Sequence, residues 1–417
     1  MLYPSPRRLL VAAGAVCLCA GALLGCDTGI TGSDGRIYAG GRHFGNAIGL
    51  DGDLAVVGAV DSGEAFVLRR TTGAWVRTSA LRRLGKTPDV DLFGWGLSLS
   101  GSTLAVGAPI MSLPEIATVP GRVYVYRVSG EAPVLEAELF PPEPMTNRTF
   151  GVRVSASGDR VAATVGGATG EFGQVVSPNA VLLYTRGSDG WTEEARIDDP
   201  AHDPASGGTS NGFGGGLALD GNRMAIGSGG EAAGGLRTVG RVRVYERSGA
   251  IWQLAAEIEP PQITENLRFG GGLALDGPLL AVASRTREVA GELGAGAVFV
   301  YRHTGAAWVF EAELRPPDLG FLDSYGFALD ADGDRVVVSA AGRARTRGSA
   351  FVWVRRPTGA WELEAELFPE GRGSGTAFGE DVALDGDRLL VGAIGVAGFR
   401  GAVYEFRRQG SAWAQVR

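Results

Sequence analysis

Cysteine and histidine are almost missing from this chain: three of each occur among 417 residues. Cys17 and Cys19 fall inside an apolar N-terminal run, which leaves Cys26 alone in the remainder and excludes an internal disulfide framework. The histidines, His43, His202 and His303, are scattered singly, so no His-Glu-x-x-His pair and no Cys/His cluster with metal-ligand spacing occurs. A Gly-x-Ser-x-Gly nucleophile elbow is absent too. Positive charge is short: the formal net charge is −7, and no basic stripe interleaved with aromatics exists. That balance argues against nucleic acid as a partner. No apolar run reaches the about 20 residues of a membrane-spanning helix; the longest, 9–24, has 16.

That run reads as an address. Arg7 and Arg8 form the positive end of an export signal ahead of it, and Leu23-Leu24-Gly25-Cys26 resembles the bacterial lipobox. The expectation is a signal peptide over 1–25, cleavage before Cys26, and acylation of Cys26. A polar, glycine-rich tether over 26–42 would then join lipid to domain. Several acyl chains at about 0.8 kcal/mol per buried methylene would anchor the chain stably. This places the protein in a bacterial cell envelope, lipid-anchored at the outer membrane, on its periplasmic side or at the cell surface.

Glycine is abundant: 67 residues, with no three-residue period. Many recur at fixed places in a longer one. Seven aromatic–glycine pairs stand at Phe44-Gly45, Phe93-Gly94, Phe150-Gly151, Phe213-Gly214, Phe269-Gly270, Tyr325-Gly326 and Phe378-Gly379. A period near 50 residues marks a propeller or a solenoid. In the fifth repeat, Leu273 and Leu275 alternate as on a half-buried strand, Asp276-Gly277 signals a hairpin with positive φ at its central residues, and 279–283 is a second apolar strand. A third strand follows over 297–302, Gly305 turns the chain, and 308–314 is a fourth, ended by Pro316-Pro317. Four antiparallel strands repeated seven times predict an all-β fold, a seven-bladed β-propeller of four-stranded antiparallel blades over 43–417.

The repeat resembles the FG-GAP family, which includes the integrin α-subunit propellers. The second half of that motif stands here as Val106-Gly107-Ala108-Pro109, Val57-Gly58-Ala59 and Val391-Gly392-Ala393. The resemblance covers about 37–417, and Arg36 to Tyr38 are candidates for a strand that closes the ring against the last blade. Strand polarity puts the short 1–2 and 3–4 hairpins on one face and the 2–3 and 4–1 connections on the other. Nearly all variable length, such as 109–121, 166–179 and 198–211, falls on the second face. Long loops on a rigid scaffold are where binding concentrates, and the resemblance implies the same face.

Many FG-GAP repeats carry a calcium loop, and the resemblance raises that question here. The loop has shrunk to Asp51-Gly52-Asp53, Asp220-Gly221-Asn222 and Asp385-Gly386-Asp387, too few oxygens for a calcium cage. Asp330, Asp332 and Asp334 look closer, but counting from Tyr325 puts Asp330 on a strand, and Val338 stands where the last ligand should be. No metal and no cofactor is expected. Trp75, Trp191, Trp252, Trp308, Trp361 and Trp413 recur at one repeat position and read as packing within or between blades. Trp95 and Trp353 lie off that position. The recurrent Glu-Ala-Glu of strand 4, as at 136–138 and 311–313, reads as a charged edge that deters aggregation.

Two long-face loops carry candidate ligand contacts. Asp199, His202 and Asp203 gather carboxylates around an imidazole, and Arg343, Arg345 and Arg347 could grip sulfate, phosphate or carboxylate. No catalytic residues are assigned. The chain is expected to be a monomeric, non-enzymatic envelope lipoprotein that binds an envelope protein or polysaccharide through its long-loop face. The alternatives are a scaffold for envelope assembly, or a hydrolase or lyase acting on polysaccharide from around the channel.

Overall fold

The computed structural model describes residues 36–39, 41–83, 91–110, 120–130, 132–141, 149–166, 179–202, 211–343, 347–370 and 375–416. Cys26, Asp203 and Arg345 lie outside the described residues, as do the whole of 1–25 and most of 26–42.

Among the described residues the strands form seven antiparallel sheets, six of four strands and one of five. These are the seven blades, over 44–82, 97–139, 154–198, 213–258, 272–314, 325–367 and 378–415. The first strands of successive blades pack side by side, and the first of blade 1 meets the first of blade 7. The ring is closed.

Blade 6 shows why these residues form this sheet. Its strands are Tyr325–Asp332, Arg335–Ala340, Ser349–Arg355 and Trp361–Leu367. The second and third are nearly continuous β-branched and apolar runs, buried on both faces. The fourth lies outermost and keeps exposed positions. Alternation divides the second strand between two neighbours: Val336 and Val338 join the core shared with blade 5, and Val337 joins the core shared with blade 7. The protein therefore has no single core. Seven apolar seams, one per blade boundary, carry the burial energy.

The two halves of the repeat motif meet across each seam. Gly45 of blade 1 has φ 98°, a conformation natural only to glycine, and its carbonyl lies against Gly392 of blade 7. A Cβ at Gly392 would stand 2.0 Å from that oxygen. Gly107 stands in the same way against Gly151. Where the second glycine is replaced, by Thr164, Ala283 or Ser339, the next blade still presents a glycine to it, Gly214, Gly326 or Gly379.

Closure uses both ends of the chain. The third strand of blade 7, Ala402–Gln409, pairs with Ala412–Gln415 over its lower half and with Arg36–Ile37 above it. The Val416 N–H donates to the Glu405 carbonyl at 2.9 Å, so the C-terminal segment stops where the N-terminal strand begins. Ile37 is fully buried in the seam between blades 7 and 1.

Candidate functional site

Strand 1 of each blade begins at the long-loop face and descends along the channel to a two-residue hairpin. At its lower end the hairpin differs from the expected geometry. Asp51 still belongs to the strand, paired with Leu54, and the loop is Gly52-Asp53 with positive φ only at the glycine, as in a II′ turn. This one-residue shift frees the strand-terminal side chain, and it reaches the next blade. Asp51 accepts the N–H of Gly101, Ser100 that of Gly158, Ser157 that of Gly221, Asp220 that of Gly277, Asp276 that of Gly333, Asp332 that of Gly386 and Asp385 that of Gly52, at 2.5–3.1 Å. Seven clasps make a closed ring around the hairpin-side mouth. In the contracted calcium-type loops the first acid is thus hydrogen-bonded to backbone, Asp53 and Asp387 pair with Arg388 and Arg408, and Val338 is buried in a seam. Among the described residues no group of three or more metal-ligating side chains gathers.

A second belt runs through the outer strands. Tryptophan Nε1 donates to a glutamate of the preceding blade: Trp191 to Glu136 at 3.1 Å, Trp361 to Glu311 at 3.0 Å, Trp413 to Glu364 at 2.9 Å and Trp75 to Glu405 at 2.9 Å. Arginines fill the remaining acceptor sites. Glu364 takes Arg335 and Arg408, each at 3.0 Å. The Glu-Ala-Glu repeat therefore does more than charge an edge; its first glutamate, 2 % exposed at Glu364, is an inter-blade clamp. Burial raises the Glu364 carboxyl pKa, but hydrogen bonds from Arg335, Trp413 and Arg408 outweigh it and hold the group below its ordinary value. Ala255 stands where blade 4 would carry the glutamate, and Trp308 Nε1 accordingly has no partner. Trp353 is core, with its Nε1 on the Tyr325 hydroxyl at 2.7 Å.

At the opposite mouth the channel carries charge. The residue after each aromatic–glycine pair stands at the long-loop end of its blade and is at least partly exposed, which defines a rim: Asn46, Trp95, Val152, Gly215, Gly271, Phe327 and Glu380. One step below lie Arg153 of blade 3 and Asp381 of blade 7, and two steps further down Asp330 of blade 6. Asp381 accepts the Ile48 N–H at 2.7 Å and Asp330 the Leu384 N–H at 2.8 Å, so both also join blades. Enclosure by the ring pushes both carboxyls up to about 7, against those backbone bonds, while both side chains keep partial contact with the channel solvent. Burial likewise raises Glu380, opposed by His43.

The two candidate loops stand apart from this mouth. Asp199 is buried and its Oδ1 accepts the Ala201 N–H at 3.0 Å, a turn-forming role. His202 Nε2 is enclosed without a partner. Arg343 contacts Asp318 at 2.6 Å, Glu366 at 2.9 Å and Asp323 at 3.5 Å, so it arrives with its own counter-charges. Arg347 stacks over Phe368 at 5.9 Å. His43 pairs with Asp61 at 3.0 Å, and His303 ends the third strand of blade 5, paired with Trp308 and with its ring against the indole. Among the described residues neither Asp199 and His202 nor Arg343 and Arg347 contact Arg153, Asp330 or Asp381. Sequence reasoning missed Arg153, Arg285, Asp330 and Asp381 as a group, since only alignment of the seven first strands brings three of them to one channel.

Comparison with known proteins agrees with this architecture. The FG-GAP repeat model matches residues 308–353 and 361–406, so the chain carries FG-GAP repeats. Each matched unit runs from strand 4 of one blade to strand 3 of the next. The sequence repeat is thus offset by one strand from the blade and spans a seam. No curated protein matches the chain. Among solved structures, the β-propeller domain of Cps50 (Swd1) from Myceliophteria thermophila superposes with a TM-score of 0.54 at 13 % identity, over 90 % of this chain and 99 % of that chain. Identity at that level shows the fold alone.

Proposed function

We propose that this seven-bladed propeller with FG-GAP repeats is a non-enzymatic binding module, held at a bacterial envelope through acylated Cys26, that takes a protein or glycan ligand on its long-loop face. The observation that carries the reading is the inequality of the two faces. On one, two-residue 1–2 hairpins are clasped blade to blade. The other is open, and on it Leu293, Phe321, Leu322 and Phe399 stand more than half exposed. Leu322 and Leu293 are joined by a backbone hydrogen bond at 3.0 Å, which fixes an apolar ledge between blades 5 and 6. Exposed apolar groups gathered on one surface mark an interaction site.

The test is cross-linking and affinity capture of full-length protein from its native envelope, comparing Phe321→Glu and Phe399→Glu with a hairpin-face control, Asp53→Lys. Capture of one stoichiometric protein, or of polysaccharide, that is lost only in the long-face variants supports the reading. Loss only in the control would place the ligand on the wrong face. Captured polysaccharide that is shortened on incubation would replace the reading with the hydrolase or lyase alternative.

A further inference from the structure

We propose that the long-loop mouth of the channel is a site for the carboxylate of an acidic, hydroxyl-rich sugar, held between the guanidinium groups of Arg153 and Arg285. The inference rests on the reading of the long-loop face as the ligand face and names the chemical class of the ligand. Most arginines among the described residues are neutralised by glutamate or aspartate in the inter-blade belts. These two are not. Among the described residues neither makes an ion pair within 4 Å, and both are exposed to the channel mouth.

Both are nonetheless positioned. Arg153 donates from Nε to the Gly215 carbonyl at 3.1 Å, which leaves its two terminal nitrogens for a ligand. Arg285 lies over the Phe327 ring at 5.8 Å. Gly215 and Phe327 are rim residues of blades 4 and 6, so each arginine leans onto the blade after its own. Gly271, the rim residue between them, has no side chain to fill the space. Two forks of N–H donors thus lean onto blades 4 and 6, on either side of a rim glycine. Arginine forks recognise planar oxyanions bidentately.

Electrostatics agrees with the geometry. Enclosure lowers the Arg153 pKa, Asp381 opposes this, and Arg285 lowers it further. The cation is thus held at a cost that an incoming anion would offset. The far wall selects among anions. Asp381, Asp330 and Glu380 stand there, and a multiply charged phosphate would be repelled by them. A monoanion whose remaining surface is hydroxyl can instead donate hydrogen bonds to those acids. Trp95, 37 % exposed on the same rim, and Phe327 offer ring faces to a sugar.

Isothermal titration of the full-length protein with galacturonate, galactose and inorganic phosphate tests this directly. The expected result is saturable binding of galacturonate, none of galactose, and a loss of tenfold or more in Arg153→Gln and in Arg285→Gln. Arg153→Lys and Arg285→Lys, which keep charge without the fork, should retain part of the affinity and show that the fold survives. Absence of galacturonate binding, equal binding of galactose or phosphate, or unchanged affinity in folded glutamine variants would each overturn the proposal. In those cases long-face capture from the envelope can still succeed, so failure here is distinguishable from failure of the broader reading.

Discussion

The Asp385 carboxylate accepts the backbone N–H of Gly52 at 2.6 Å and so joins the last blade to the first, across 333 residues of sequence. The same bond recurs at the other six seams, with serine in place of aspartate at Ser100 and Ser157. An acceptor oxygen is therefore the requirement, and charge is secondary. Asp385→Ala should destabilise the fold by about 1.5 kcal/mol, as for loss of a hydrogen bond to a charged group. Asp385→Ser should recover most of that. Urea midpoints at constant slope measure both.

The glycine contacts set a harder limit. Gly392→Ala forces a methyl into the Gly45 carbonyl, and a destabilisation of about 3 kcal/mol is expected from overpacking against backbone. A control comes from Ala283, where a methyl already meets Gly326; Ala283→Gly should cost about 1–2 kcal/mol, from backbone entropy and the loss of one buried methyl. Thermal melts of the two variants separate the effects.

The outer belt predicts an unequal pair. Trp413→Phe removes a donor to Glu364 and should cost about 1 kcal/mol, whereas Trp308→Phe removes an Nε1 that has no partner and should be nearly neutral. Glu364→Ala leaves Arg335 and the Trp413 indole unpaired, with Arg408 held by Asp387 alone, and should cost about 3 kcal/mol. Chemical denaturation of the three variants gives the ranking.

Acidity acts on the fold in two directions. Asp330 and Asp381 have folded values near 7 against the usual 3.8, so the folded state keeps protons that the unfolded chain has released. Their contribution is full below about 4 and is lost as pH rises through about 7. Glu136, Glu311 and Glu364 are lowered from 4.5, so theirs is present above that value and lost as pH falls below it. Asp330→Asn, which keeps an acceptor for the Leu384 N–H, should flatten the decline between pH 5 and 8. A decline of the same slope in the variant would show that Asp330 titrates normally.

The seven aromatic–glycine pairs make blade number, strand order and loop distribution legible in the sequence alone, because each is a local pattern repeated in register. The tryptophans are legible as packing too, since one fixed position per repeat leaves little else. The aspartate or serine before each hairpin glycine reads as turn chemistry in the sequence, and its real work is hidden there because its partner lies in the next blade. The first glutamate of strand 4 is hidden for the same reason. Arg153 and Arg285 occupy different repeat positions in different blades, and only the ring brings them to one mouth. Contacts within a repeat can be read from the chain; contacts between repeats cannot.

Which face meets the ligand decides the proposed function. Hydrogen–deuterium exchange of the full-length protein, free and bound to its native envelope, measures this most directly. Protection at 289–296, 318–324 and 396–401 is the expected result. Protection confined to the hairpins at 52–53, 101–102 and 386–387, with the long loops unchanged, would contradict it.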